Sequence, residues 1–527
     1  MKMKNIKSIL ISGLLILGMS SCADFLDQPI KGQENLDTYY QTEEECLKQL
    51  TGCYQSIFWD DWWQISTFYV GTDMCTDDMW MGNTTQSQED WIRMAHFGNP
   101  KQDGKIKDFW QFRYKGILRS NIVINKVKNA PITNEILRGR IIGEAQFLRA
   151  FHYFELVKNF GGVPIVLDFL MPSEVLGIER ASVEDAYAQI EQDLKDAIEV
   201  LPNRSEYADS DLGRASKGTA MGYLGKAYLY QGKFAEAEAI LKTLIDSREY
   251  DLLPEFKDVW SIEYNNSIES LFEVQYYSDL NYNLGGRLPV VTGSRDDEGW
   301  SWGLPSSNLE KAYLDVNDEE RLKWTIIKHG NNVPGDDDEK AQGYVITPDK
   351  HKSARVNRKF YIPHDQRPER YDGNHNNLNH RLLRYADVLL MYAEAANEIG
   401  KDTDAQEALN LVRARVNLPA VAKTGKELRN AIRLERRLEL ACEHQRLYDL
   451  RRWIDDNGKK TICNLMGENG SFVKYNLEES TDEFEVTNQK ENSNKGINFR
   501  EDRDLVFPIP HTEVILSQGS IAQNPNY

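Results

Sequence analysis

The stretch RASKGTAMGYLGKAYLYQGKFAEAEAILKTLIDS, running from Arg214 to Ser247, decides the fold. It reads as two helices with a tight break at Gly232-Lys233. In the first helix Leu224, Gly225 and Tyr228 share a face. In the second Phe234, Ala237, Leu241 and Leu244 recur at spacings of three and four, the period of a helix that packs along one side. Gly225 and Ala237 are small enough to let two backbones approach, and Tyr228 and Leu241 fill the space beside them. This order of small, aromatic and leucine positions is the tetratricopeptide pattern of a helical hairpin. Such a hairpin is a scaffold and performs no chemistry by itself.

A second copy lies downstream in LLRYADVLLMYAEAANEIGKDTDAQEALNLVRARV, residues 382–416. Setting Ala405 on Ala237 puts Ala393 at the Gly225 position, Gly400 at Gly232 and Leu409 at Leu241, while Ala396 replaces the tyrosine. A regular solenoid repeats every ~34 residues. Copies this far apart therefore predict a discontinuous scaffold carrying inserted material, in a mainly α protein.

The chain begins with Lys2, Lys4 and Lys7, then an apolar run from Ile9 to Met19, then Ser20-Ser21-Cys22. That is a secretory signal, too short to cross a bilayer. The cysteine at the cleavage point makes it a lipoprotein signal, with residues 1–21 removed and Cys22 acylated. Thr42, with Glu45 three residues on, predicts a capping box and a first helix through Tyr54. Residues 143–160, GEAQFLRAFHYFELVKNF, predict a helix buried on several sides, with Glu144, His152, Glu155 and Asn159 as its polar strip and Gly161-Gly162-Val163-Pro164 as its stop. His152 reads as a satisfied core histidine.

The chain carries 63 Lys+Arg against 82 Asp+Glu, a formal charge of −19 and a pI of about 5.1, which argues against nucleic acid as a partner. Cys46, Cys53, Cys75, Cys442 and Cys463 are scattered without metal-ligand spacing and read as mostly free, buried thiols. No HExxH, P-loop or dinucleotide motif occurs. Glu435, Glu439 and Glu443 share one helical face and would repel one another. Arg433, Arg436, Arg446 and Arg452 are their expected partners, in a structural ion network and not a catalytic pair.

Two segments suit a ligand. Trp59, Trp62 and Trp63 lie among carboxylates, and the theme continues through Asp77, Asp78, Trp80, Asn83 and Trp91. Flat aromatic faces beside carboxylates and amides suit a sugar ring and its hydroxyls. Residues 281–307, NYNLGGRLPVVTGSRDDEGWSWGLPSS, show no sustained period but hold five glycines with Trp300 and Trp302. Long loops of this kind are usually functional. Asp336-Asp337-Asp338-Glu339 reads as a solvated acidic turn; a structural calcium ion is conceivable there, but the order of ligands and glycine of a calcium loop is missing. Asp365 to His380, rich in Asn, His, Arg and Gly, offers further polar contacts.

Several stretches, in order, resemble one family. RAFHYFELVKNFGGVPIV (149–166), the Arg214 hairpin, LRYADVLLMYAEAANE (383–398), IRLERRLELACEHQRLYDLRRW (432–453), the ending RDLVFPIPHTEVILSQGSIAQNPNY (503–527) and the start CADFLDQP (22–29) are similar to the SusD/RagB family of outer-membrane nutrient-uptake lipoproteins. Residues 255–380 and 460–500 match least. The resemblance implies a SusD-like fold, with residues 22–250 as an N-terminal helical region holding the first hairpin and 251–527 as a C-terminal region with loop insertions. It also implies a protein that is not an enzyme and needs no cofactor. Such a protein is lipid-anchored on the outer face of the outer membrane, a lid on a SusC-like TonB-dependent transporter to which it hands a glycan. Trp300, Trp302, Trp59, Trp62, Trp63, Trp80 and Asp77 are the candidate glycan contacts. Two other readings remain open: a secreted glycan-degrading enzyme, and a peptide-binding member of the same family.

Overall fold

The computed structural model describes residues 39–58, 64–82, 89–98, 104–170, 172–487 and 495–527. The signal, Cys22, Trp59, Trp62 and Trp63 lie outside the described residues. Ten helices there reach eleven residues or more: α1 Glu43–Phe58, α2 Gln64–Met74, α3 Gly104–Val127, α4 Glu135–Phe160, α5 Val183–Val200, α6 Lys217–Tyr230, α7 Phe234–Asp246, α8 Tyr385–Glu398, α9 Asp402–Arg415 and α10 Gly425–Glu439. Among the described residues the sheet content is three two-stranded antiparallel pairs.

Local signals set the helix ends. Thr42 Oγ1 accepts from Glu45 N–H, and Glu45 Oε2 accepts in return from Thr42 N–H, the reciprocal capping box read from the sequence. Helix α4 is capped by Asn134 and stopped at Gly161, whose φ of 75° suits a residue without Cβ. Both hairpins turn on a left-handed glycine, Gly232 at φ 73° and Gly400 at φ 77°. At the first crossing a Cβ on Gly225 would lie 2.5 Å from Leu241 Cγ and Cδ2, so contact between α6 and α7 requires the glycine.

The two hairpins, far apart in sequence, pack directly on each other through α7 and α8. A strand pair holds them in place. Ser270–Val274, just after the first hairpin, pairs with His380–Arg384, just before the second. Thr219 of α6 donates to Leu271 O at 2.6 Å, and Tyr385 N–H at the start of α8 donates to Glu269 O at 2.8 Å. Ion pairs Lys226–Asp387 (3.0 Å) and Lys401–Glu238 (2.8 Å) cross between the copies.

Helix α4 is the centre of the core. It packs on α1, α3 and α5, and each residue of its buried polar strip has a partner, though Glu155 Oε2 is left without one. Glu144 accepts from Tyr54, Arg140 and Arg214; Glu155 pairs with Lys158; Asn159 accepts from Tyr448. Burying such groups is tolerable because each has a partner. The largest apolar cluster runs from Tyr40 to Ile509 and draws side chains from both sides of residue 250. Cys46, Cys53, Cys75, Cys442 and Cys463 are free and buried, as read from their scatter.

Candidate functional site

Residues 281–307 are better ordered than their lack of period suggested. They contain one helical turn, Leu288–Thr292, and a two-residue strand, Leu304–Pro305, which pairs with Met79–Trp80. Gly285 and Gly286 N–H groups donate to Asn374 and Asn376 carbonyls, so the segment is stitched to the Asn-rich stretch 365–380. Arg287 bridges Gly285 O and Gly373 O. Asp296 accepts from Thr347 N–H and Lys350. Asp297 receives the Arg367 fork at 2.8 and 2.7 Å and the Tyr344 hydroxyl at 3.0 Å, with His364 Nε2 at 3.1 Å. Burial opposes the Asp297 charge, but these partners hold its carboxyl below the usual range. The loop is thus fixed by buried polar contacts before any ligand arrives.

The loop presents aromatic rings. Trp300 is half-buried against Trp302, ring centroids 5.2 Å apart, and Trp302 sits 6.1 Å from Trp91. Trp302 is 9% exposed, and its indole N–H is buried without an acceptor. Just upstream, Tyr277 and Tyr282 are 64% and 65% exposed, with Leu280 between them. Their turn is closed by Tyr277 N–H to Leu284 O and by Asp279 Oδ1, which accepts from Asn281 and Tyr282 N–H groups. Ser278 ties it to His375 O at 2.6 Å. These tyrosines were missed because the sequence reading weighed tryptophans. The signal available was Asp279 and Asn281, turn residues that put their flanking tyrosines at a tip.

Trp80 and Asp77, expected at a sugar, lie instead in the interior. Trp80 is 2% exposed and donates to Glu485 at 2.8 Å. Asp77 receives Arg446 at 3.0 and 2.9 Å, while its neighbour Asp78 receives Arg437. Against burial, Arg437 and Arg446 hold the Asp77 carboxyl low, whereas burial pushes Asp78 up. Neither Trp80 nor Asp77 offers a free surface in this structure. The acidic turn divides: Asp337 and Glu339 are exposed, as its solvated reading expects. Asp336 is buried, not solvated, and accepts from the Tyr361 hydroxyl, with His364 Nδ1 at 2.7 Å.

The glutamate ladder is structural, but its partners are not the ones expected. Glu435 meets Arg321 and Arg413; Glu439 meets Arg321, Arg384 and Arg415; Glu443 meets Arg384 and Lys359. Arg321 also holds Asp318, and Arg384 and Arg415 both hold Glu269. The expected arginines turn elsewhere: on α10, Arg436 to Asp387 and Asp449 and Arg433 to Glu398 at 4.0 Å; on the separate helix Arg446–Arg452, Arg452 to Glu394 and Arg446 to Asp77; Glu443 lies in the turn between the two helices, not on the α10 face. His152 is fully buried, with Arg113 Nη1 on Nδ1 at 3.3 Å and Ser56 Oγ on Nε2 at 3.0 Å. Arg113 can only donate, so Nδ1 accepts and Nε2 carries the proton. Burial, then Arg113, push its pKa well down, and the ring is neutral. It is the satisfied core histidine read from the sequence.

A model of the SusD family matches residues 268–527, and one described as starch-binding associating with outer membrane matches residues 24–229. SusD-like protein P2 of Formosa agariphila is 28% identical over 555 residues, covering 98% of this chain and 98% of that protein. Among solved structures, a laminarin-binding SusD-like protein superposes with a TM-score of 0.73 at 26% identity, over 93% of this chain and all of that one (100%). A SusD homologue of Bacteroides thetaiotaomicron superposes with a TM-score of 0.77 at 24% identity, over 93% and 98%, a likeness of fold.

Proposed function

We propose, from the premise that this chain belongs to the SusD family, that it captures a glycan at the outer membrane and passes it to a SusC-like TonB-dependent transporter. The observation that carries this is the pair of family matches, one of them described as starch-binding associating with outer membrane. The name of the laminarin-binding relative supports a carbohydrate ligand. On this reading the fixed segment 277–307 is the capture surface. Trp300, Tyr277 and Tyr282 offer ring faces, Trp302 backs Trp300, and Trp59, Trp62 and Trp63 are further candidates.

The mechanism is capture without chemistry. Lipid at Cys22 keeps the protein on the exterior face of the outer membrane. A ring face stacks on the apolar face of a sugar while polar neighbours meet its hydroxyls. Tethering to the transporter raises the local concentration of ligand at the barrel mouth, so weak, reversible binding suffices. The closed ion pairing of Glu435, Glu439 and Glu443 fits a protein with no carboxylate pair reserved for hydrolysis.

Calorimetric titration of residues 23–527 against purified polysaccharides, laminarin and starch among them, tests the reading. Binding to one glycan that is lost in Trp300→Ala upholds it. Sugar release from a bound glycan overturns it in favour of a degrading enzyme, and binding of peptides alone moves the chain to the peptide-binding members. Cys22→Ala should abolish membrane fractionation, and retention in the membrane would refute the anchor.

A further inference from the structure

A second cavity, of about 160 Å³, shares no lining residue with segment 277–307. Its walls come from Trp260, Ser261, Trp324, Arg358, Tyr361 and Gln366, among others. Its size is close to the ~150 Å³ of a cavity that holds a benzene-sized guest. It is well below the roughly 300–1,000 Å³ of pockets for drug-sized ligands. The space therefore suits one six-membered ring.

Three features give that space a chemistry. First, Arg358 is a buried cation, 4% exposed, and among the described residues no carboxylate pairs with its guanidinium. Its Nε and Nη2 donate to Pro334 O and its Nη1 to Tyr361 O. Those bonds use three of the five N–H groups, so one on each Nη remains to donate. Asp336, the nearest acidic influence on it, is already engaged by Tyr361 and His364. Burial pulls the guanidinium down to about 10, so it stays charged at neutral pH. Second, the Arg358 guanidinium lies over two rings, 5.0 Å from the Trp324 centroid and 5.2 Å from that of Tyr361. Third, Trp260 and Trp324 give the cavity flat aromatic walls. Gly335, at φ 76°, keeps the space open: a Cβ there would lie 3.1 Å from Trp324 and 3.4 Å from Arg358 Nη2.

We propose that this cavity is a second binding site, for the carboxylate-bearing ring of a uronic acid, with Arg358 clasping the carboxylate and Trp260 forming a wall against the ring. Aromatic walls suit the ring, and Ser261 and Gln366 suit its hydroxyls. A uronate reaches the site either as a free sugar or as the end residue of a chain. The site stands whether or not segment 277–307 binds a glycan, because the two share no residue.

The test is titration of the full chain, purified in detergent, with glucuronate, glucose, acetate and a glucuronate-terminated tetrasaccharide. Binding is read from the indole N–H resonances, with Trp260 assigned through Trp260→Phe. Glucuronate should move the Trp260 N–H signal and bind at least tenfold more tightly than glucose or acetate. Arg358→Gln should weaken it at least tenfold and Trp260→Phe about threefold. Preference for the tetrasaccharide over the free sugar, or the reverse, assigns the source, and either upholds the site. Arg358→Gln removes a buried cation and can fail to fold, so the ligand comparison on the native chain and Trp260→Phe, which keeps the ring, decide independently. Equal affinity for glucose and glucuronate, acetate binding as tightly as glucuronate, or no movement of the Trp260 signal overturns the proposal.

Discussion

Replacing Glu439 by glutamine removes one charge from a closed network. Five carboxylates (Glu269, Asp318, Glu435, Glu439, Glu443) face five cations (Arg321, Lys359, Arg384, Arg413, Arg415), so the set is neutral as it stands. Glu439 is fully buried and touches three of the guanidiniums. Burial opposes its ionisation, yet Arg415, Arg384 and Arg321 outweigh that and hold the carboxyl low. Glutamine keeps the shape and one acceptor but leaves a net positive charge in a dry interior. Breaking a buried pair from one side costs about 3–5 kcal/mol, because the partner is left uncompensated. We expect Glu439→Gln to fall in that range. Arg415→Met in the same chain restores neutrality, so the double variant should be less destabilised than the two singles summed, by about 0.5–3 kcal/mol. Urea unfolding followed by tryptophan fluorescence reads both effects as midpoint shifts. An unchanged midpoint in Glu439→Gln, or strict additivity in the double variant, would refute the reading of this ladder as a structural network.

Three further outcomes follow from the geometry. Gly225→Ala gains about 1 kcal/mol of helix propensity but drives a methyl into Leu241, an overpacking worth about 1–3 kcal/mol; thermal unfolding should show net loss, and a rise in midpoint would sink the close-approach argument. His152 and His380 are pushed well below the ordinary histidine value, by burial first, so the unfolded chain takes up their protons before the folded one does. Stability should therefore fall as pH drops below about 6.5, by up to ~1.4 kcal/mol per pH unit for each ring, and His152→Gln should flatten that slope; an unchanged slope between pH 6.5 and 5 contradicts it. Tyr277→Ala and Tyr282→Ala, both on an exposed tip, should leave the unfolding midpoint within ~0.5 kcal/mol of native while weakening glycan binding in calorimetry. Unchanged affinity in both removes the tip from the capture surface.

The sequence by itself determined the hairpins, the capping box at Thr42, the buried α4 with its stop at Gly161, the free cysteines and the family. Those features are written in spacing: a 3.6-residue period, a glycine where φ must be positive, a cap three residues from its partner. Only the tertiary structure decided which charges meet. Glu439 finds Arg384, on the strand that pairs with Ser270–Val274, and Arg321, from a helix over a hundred residues upstream. Sequence neighbours on a helix face are set by local geometry, whereas ion pairs in a core are set by which elements the packing brings within a few ångströms. For the same reason Trp80 and Asp77, alike in the sequence to residues of a sugar site, are interior, while Tyr277 and Tyr282 stand in solvent. Residue type gives what a side chain can bind; burial, fixed only when the long-range contacts close, gives whether it is free to do so.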